Sequence, residues 1–151
     1  LRAKQKMARI YGIREGQFRK YYKESTRVQG VSGENLLRLL EGRLDNVVFR
    51  LGMAPSRKAA RQLVRHNHFT VNGRRVNIPS YMASPGDVIA VAEGSRKLEV
   101  FQESMRRSRE LVPWLTVDKS NLVGTVAERP NRADIPAPVE EQLVIEFYSR
   151  V

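Results

Sequence analysis

The apolar residues in the first part of the chain are spaced for helices. Residues 3–11 and 14–24 contain few helix breakers and are separated by Gly12, so two helices are predicted there. Ser32 has the side chain and the position of an N-cap for a third helix, which Gly42 ends. The apolar face of this third helix consists of Leu36, Leu37, Leu39 and Leu40.

Two more amphipathic helices are predicted after Gly42. The segment 43–51 has apolar side chains at positions i, i+3, i+4 and i+7, and Gly52 follows it. A helix capped by Ser56 and beginning at Arg57 separates its side chains into two faces when they are placed at about 100° per residue. One face is apolar and consists of Ala59, Ala60, Leu63 and Val64. The opposite face is basic and consists of Arg57, Lys58, Arg61 and Arg65.

Short strands are predicted in the next part of the chain. Asn72 and Gly73 separate the runs 69–71 and 74–76, and Asn-Gly is a strong hairpin signal because both turn residues adopt positive φ. A further helix is predicted over 98–111. Strands are also predicted over 88–91, 115–117 and 122–126, and the run 143–147 has the composition of a strand.

Composition excludes several kinds of site. The chain has 151 residues, no cysteine and two histidines, so disulfides, thiolate metal sites and cysteine nucleophiles are excluded, and no metal or cofactor is expected. His66 and His68 are expected to be neutral packing or hydrogen-bonding groups. No apolar run approaches the roughly 18–20 residues that cross a bilayer.

Positive charge is concentrated in two segments. The net charge is +11, from 27 Lys and Arg against 16 Asp and Glu. Residues 1–30 hold nine bases and two acids, residues 57–75 hold six bases and no acid, and residues 113–151 hold four bases and six acids. This distribution favours a polyanion as the ligand. The candidate polyanion-binding cations are Arg2, Lys4, Lys6, Arg9, Arg14, Arg19, Lys20, Lys23, Arg57, Lys58, Arg61, Arg65, Arg74 and Arg75.

Some of the charged and aromatic residues could have a role other than binding a polyanion. The basic helix face could be a solvated surface, but a helix built for solubility usually mixes charges, because i,i+4 pairs of opposite sign add stability. Tyr21 and Tyr22 lie among candidate cations and could stack on exposed nucleobases or pack in the core. The acidic C-terminal third would repel phosphates, so a protein contact is predicted there. Its candidate residues are Glu140, Glu141 and Glu146.

Several motifs together resemble a known RNA-binding family. The segments that resemble the S4 RNA-binding module are 43–52, 56–64, 71–74, 79–81 and 85–87. The segments 11–12, 17–19, 33–37 and 143–150 are similar to the uS4 family of bacterial small-subunit ribosomal proteins. The resemblance covers essentially the whole chain, and relative to that family the sequence is expected to lack an N-terminal segment.

The resemblance implies an α+β fold and a ribosomal role. A mainly helical subdomain would come from residues 1–42 and 119–151, and an S4 module with a small, mainly antiparallel sheet from residues 43–118. The implied protein is a non-enzymatic, cytoplasmic, ribosome-bound binder of small-subunit rRNA. Members of the family bind a multi-helix junction of the rRNA 5′ domain early in assembly. They also line the channel through which mRNA enters, contact neighbouring small-subunit proteins, chiefly protein five, and influence decoding accuracy.

One motif favours a different class of protein. The string Gly-Arg-Leu-Asp at 42–45 resembles the one that carries the catalytic Asp in S4-module pseudouridine synthases, where it follows the module instead of preceding it. Asp45 is here expected to cap a helix or to pair with Arg43 or Arg50. Because 39 residues of the given sequence follow Val112, a catalytic domain is not expected there. This motif supports the alternative to a ribosomal protein, which is a free-standing S4-module RNA-binding or RNA-modifying protein.

Overall fold

A computed structural model describes residues 2–108 and 111–150. The chain folds as two compact units. The helical unit consists of residues 1–41 and 131–151, and the sheet unit consists of residues 42–130.

The described residues form seven α-helices and five β-strands. The helices are α1 (Arg2–Tyr11), α2 (Glu15–Arg27), α3 (Ser32–Glu41), α4 (Leu44–Arg50), α5 (Arg57–Arg65), α6 (Glu99–Arg107) and α7 (Glu141–Ser149). The strands are β1 (Phe69–Val71), β2 (Arg74–Arg75), β3 (Val88–Val91), β4 (Leu115–Asp118) and β5 (Val123–Val126). The predicted α+β fold is confirmed.

The helical unit is held together by the contacts of α3 with α2 and α7, and α7 also packs against α1. Its buried apolar side chains include Met7, Phe18, Leu36, Leu37, Leu40 and Val144. The strand-like composition of 143–147 is misleading, since these residues lie within α7. Val144 and Tyr148 are one helical turn apart and both are buried. Packing of this face against α1 and α3 outweighs the strand preference of the β-branched residues, which is a weak and context-dependent term.

The sheet unit contains one five-stranded antiparallel sheet with the strand order β2-β1-β3-β5-β4. Gly124 of β5 lies opposite Ile89 of β3 on one side and opposite Val117 of β4 on the other. These pairings place residues 119–130 in the sheet unit, whereas the sequence suggested a boundary after residue 118. The difference arises because a strand pattern predicts a strand but does not show which strands will pair with it.

In the described residues, the helix predicted over 98–111 spans only Glu99–Arg107. α6 ends at Arg107, and the Ser108 backbone N–H donates to the Ser104 carbonyl (3.0 Å). Ser104 Oγ donates to the Gly52 carbonyl (2.7 Å), which fixes α6 to the segment that follows α4. Residues 109 and 110 of the predicted helix lie outside the described residues.

The Asn-Gly turn predicted between β1 and β2 is confirmed. Asn72 and Gly73 have φ angles of 53° and 84°, as two-residue hairpin turns require. Asn72 Nδ2 donates to Asp87 Oδ1 (3.0 Å), and Asn72 Oδ1 accepts from the Val88 backbone N–H (2.9 Å). The turn is therefore fixed to the start of β3, and the two exposed arginines of β2 follow it directly.

Candidate nucleic-acid interface

The basic face predicted for α5 is present in the sheet unit. The helix begins after Ser56, whose Oγ accepts a hydrogen bond from the Ala59 backbone N–H (3.1 Å). Its buried face packs against α4, and Lys58 and Arg65 are exposed on the other side. The first turn of α5 contains no acid. Because cations at the positive end of a helix dipole are unfavourable, folding stability does not explain the bases at this end.

The other two cations of the predicted face reach back to α4. Arg57 donates from Nε to Asn46 Oδ1 (2.8 Å), and its guanidinium carbon lies 4.6 Å from the centre of the Phe49 ring. Arg61 donates from Nε to Asp45 Oδ2 (3.3 Å) and keeps 24% of its side chain exposed. Both arginines are therefore half-buried, although the sequence placed them on the same basic helix face as the exposed Lys58 and Arg65.

Asp45 is a buried ion-pair partner. Its side chain is 2% exposed, and its two oxygens accept from Arg43 Nε (3.1 Å) and Arg43 Nη2 (3.0 Å) in a bidentate pair. Asp45 Oδ1 also accepts from the Asn46 backbone N–H (2.7 Å). The expected pairing with Arg43 is thus present. A carboxylate buried between arginines is a structural group, so the resemblance to the pseudouridine synthase string does not carry a catalytic role here.

The strand β2 adds two exposed cations to the sheet unit. Arg74 and Arg75 are both exposed, and Arg75 Nη1 donates to the Asn67 carbonyl (3.0 Å). Asn67 lies just after the end of α5 and has a φ angle of 67°. This hydrogen bond ties the basic hairpin to the C-terminal end of α5, so the tertiary structure brings together the two predicted basic elements of this unit.

His68 is a packing and hydrogen-bonding group in the same region. Its Nδ1 lies 2.7 Å from Ser95 Oγ, and its ring packs edge-on against Phe101. Burial lowers the pKa of His68, and the nearby His66 and Arg75 lower this pKa further. His68 therefore favours the neutral state, as the sequence suggested.

Acidification is expected to lower the free energy of unfolding as the pH falls below 6.5, the ordinary pKa of His68. Folded His68 binds a proton less readily than the unfolded residue, so the unfolded state takes up more protons in this range. His68→Gln should remove this part of the pH dependence while its amide keeps a partner in Ser95. Urea denaturation at about pH 7.5 and about pH 5.5 tests the prediction. The same loss of stability in both proteins would contradict it.

The helical unit carries its own exposed cations. Those among the predicted RNA-binding residues are Arg2, Lys6, Arg9, Arg14, Arg19, Lys20 and Lys23. Lys4 differs from them, because only 13% of its side chain is exposed. Its ammonium pairs with Glu15 and lies 5.3 Å from the centre of the Phe147 ring. The structure therefore gives Lys4 a packing role between α1, α2 and α7 in place of the predicted RNA contact.

Tyr21 and Tyr22 belong to the packing of the helical unit. Tyr21 is buried, and Tyr22 stacks on Tyr148 with 4.6 Å between the ring centres. Tyr148 donates from its hydroxyl to Glu15 Oε1 (3.2 Å). Burial, together with the negative charge of Glu15, raises the pKa of Tyr148 to about 12, so this donor keeps its proton. The structure thus supports core packing over the predicted stacking on nucleobases.

The three acidic residues that were predicted to contact a protein partner differ in their exposure and in their contacts. Glu140 and Glu146 are exposed. Glu141 Oε2 instead accepts from Arg132 Nε (2.6 Å), and Arg132 also donates to the carbonyls of Ile135 (3.1 Å) and Val139 (3.3 Å). Glu141 is therefore engaged within the helical unit, where it fixes the segment before α7.

Sequence reasoning missed the side chains that support the charged groups. These residues are Asn46, Phe49 and Arg132. Each contacts a partner from a different part of the chain, so no spacing within one helix indicates the pairing. Candidate cations were found because their charge is visible in the sequence, whereas an amide or a phenyl ring on a neighbouring helix gives no such signal. The charge of Arg132 is visible too, but the sequence does not show that its partner is Glu141.

Within residues 2–108 and 111–150, no group of three or more His, Cys, Asp or Glu side chains is arranged to hold a metal ion. Over the same ranges, none of the helices has the length and apolar character that crossing a membrane requires.

Comparisons with known proteins match both units. Residues 1–41 match the ribosomal protein S4/S9 N-terminal domain, and residues 42–89 match the S4 domain. The chain is 56% identical to small ribosomal subunit protein uS4 of Thermus thermophilus, 55% to that of Pelotomaculum thermopropionicum and 57% to that of Acidothermus cellulolyticus. Each alignment covers 99% of this chain and 73% of the relative. With this identity and coverage, the chain belongs to the family of small ribosomal subunit protein uS4.

Proposed function

We propose that this chain is a structural, RNA-binding component of the small ribosomal subunit. The observation that carries the proposal is the acid-free basic face of α5 beside the basic strand β2, in a chain of the uS4 family. Such a surface suits RNA phosphates, because the major groove of A-form RNA is too deep and narrow for side chains to read. The proposed role is non-enzymatic, and the protein would act on ribosomes in the cytoplasm.

A second RNA contact is proposed on the exposed surface of α1 and α2. Arg2, Lys6 and Arg9 recur with helical spacing on α1, and Lys20 and Lys23 do so on α2. Two separate basic surfaces suit an RNA junction, which presents the backbones of several helices. We therefore propose a multi-helix junction of the rRNA 5′ domain as the binding site, bound early in assembly.

Besides rRNA, the proposed partners of this chain are a neighbouring ribosomal protein and mRNA. A neighbouring small-subunit protein, chiefly protein five, would contact the exposed acids Glu140, directly before α7, and Glu146, within it. The chain would also lie near the channel through which mRNA enters and would influence decoding accuracy. The exposure of these two acids supports the protein contact, because carboxylates disfavour a phosphate surface.

Reversing the charge of Glu140 and Glu146 to Lys is expected to weaken the contact with protein five. Both side chains are exposed, so the fold should be kept. Glu141 is left unchanged, because it pairs with Arg132 inside the helical unit. Pull-down of protein five with rRNA-bound chain measures the effect. Undiminished recovery with the double variant would contradict the assignment.

The proposed function is tested with the full chain and transcribed rRNA. The chain is expected to prefer the 5′ domain of small-subunit rRNA over an unrelated RNA of equal length. It is also expected to sediment with small subunits that have been washed at high salt. Binding without preference, together with release at high salt, would favour a free-standing S4-module protein.

A further inference from the structure

Two consecutive residues of α4 hold two arginines of α5. Arg57 and Arg61 are one helical turn apart, and each donates from Nε to an α4 side chain. The acceptors are Asn46 Oδ1 at 2.8 Å and Asp45 Oδ2 at 3.3 Å. Because a guanidinium is planar and rigid, a hydrogen bond at Nε restricts the orientation of the whole group. The side chains of α4 therefore set the directions of both guanidinium planes.

Stability alone does not explain a carboxylate at position 45. A buried ion pair adds little net stability compared with apolar residues of similar volume, because both charges lose their water. A carboxylate beneath a phosphate-binding face also opposes the approach of an anion. Arg43 offsets this charge through its bidentate pair with Asp45, and Arg61 keeps 24% of its side chain exposed. The arrangement thus keeps Arg61 anchored and still reachable from solvent.

We infer that Asp45 and Asn46 are positioning residues, which hold the guanidinium groups of Arg61 and Arg57 in fixed orientations for the phosphates of bound RNA. This inference rests on the proposed function. Arginine binds phosphate through a rigid fork of N–H donors, so its affinity depends on orientation, whereas lysine acts as a point charge. Orienting the forks before binding reduces the conformational entropy that binding would otherwise remove.

Asp45→Asn separates positioning from simple electrostatics, because the two predict changes of opposite sign. Asparagine removes the negative charge and has one acceptor oxygen in place of two, so it cannot accept from Arg43, the Asn46 backbone N–H and Arg61 together. If Asp45 were only a nearby charge, its removal would strengthen RNA binding. If it positions Arg61, the variant should bind 5′-domain rRNA about three- to tenfold more weakly. The log–log salt slope should also flatten by up to about 0.9.

The loss caused by Asp45→Asn must depend on Arg61. In the Arg61→Ala background, Asp45→Asn is expected to cause no further loss of RNA affinity. Affinities are compared at a temperature at which circular dichroism shows every variant to be folded. Binding by folded D45N that equals or exceeds that of the wild type would overturn the inference. An equal loss in both backgrounds would also overturn it.

A second comparison does not depend on the stability of D45N. Arg61→Lys and Arg65→Lys each keep the positive charge, but Arg61 is held by Asp45 whereas Arg65 is exposed. Arg61→Lys is expected to lose RNA affinity severalfold, and Arg65→Lys much less. Equal effects would overturn the positioning role and leave the proposed function intact. Wild-type affinity and salt slope in both Arg61→Ala and Arg65→Ala would overturn the positioning role and the proposed α5 contact together.

Discussion

Replacing the four exposed cations of α5 and β2 by glutamine is expected to flatten the salt dependence of rRNA binding by about three units on a log–log scale. These cations are Lys58, Arg65, Arg74 and Arg75. Each cation that neutralises a phosphate releases condensed counterions and contributes about 0.7–0.9 to the slope. The four side chains are exposed, but Arg75→Gln gives up the hydrogen bond to the Asn67 carbonyl, so circular dichroism at the assay temperature is used to check that the variant is folded. Removing Lys58 from the first turn of α5 also relieves an unfavourable interaction with the helix dipole.

The matched control removes the same charge elsewhere on the sheet unit. Its four substitutions to glutamine are at Lys97, Arg106, Lys119 and Arg129, which are exposed. Fluorescence anisotropy with labelled 5′-domain rRNA, at salt concentrations from about 50 to about 400 mM, yields the slope for each protein. If the control flattens the slope as much as the α5 and β2 variant, net charge is responsible and the local contact is contradicted.

Gly124→Ala is expected to lower the free energy of unfolding by about 1–3 kcal/mol, because it overpacks the sheet unit. A Cβ at this position would lie 2.5 Å from Leu51 Cδ2 and 2.6 Å from Leu51 Cδ1. Gly124 pairs with strands on both sides, through Ile89 and Val117, so β5 cannot move away without disturbing two ladders. Leu51 is itself 1% exposed and has little space into which it could shift.

A double-mutant cycle shows whether this close approach causes the loss. Leu51→Ala alone should cost about 2–5 kcal/mol through the cavity that it leaves. Combined with Gly124→Ala, the total loss should be smaller than the sum by about 1 kcal/mol, because the added methyl group enters space that Leu51 has vacated. Urea denaturation of the four proteins measures the coupling. Strictly additive losses would contradict the steric explanation.

Features that depend on neighbouring residues could be predicted from the sequence. The basic face of α5 follows from helical periodicity, since residues on one face are three or four apart. The turn at Asn72 and Gly73 follows from the positive φ angles that a two-residue hairpin requires. Both features position cations of the candidate interface, so a substantial part of that interface was visible without the structure.

Features that depend on distant partners could not be predicted in this way. The residues of 143–147 are typical of a strand, but contacts with α1 and α3 stabilise them as part of α7. The position of residues 119–130 depends on β5, whose pairing with β3 requires chain segments that are far apart in sequence. A local sequence pattern carries no information about the free energy of these long-range contacts. It therefore could not predict the helix at 143–147 or the position of residues 119–130 in the sheet unit.

Residue types and local spacing were enough to predict the charge of this protein, the order of most of its elements and the faces of its helices. Each of these depends on residue type or on spacing within one element. Which cations stay exposed depends instead on contacts between helices. Lys4 is paired with Glu15, and Arg61 is anchored by Asp45, although all the candidate cations look equivalent in the sequence. The physical reason is that an ion pair depends on the distance between two side chains in space, and packing of separate helices sets that distance.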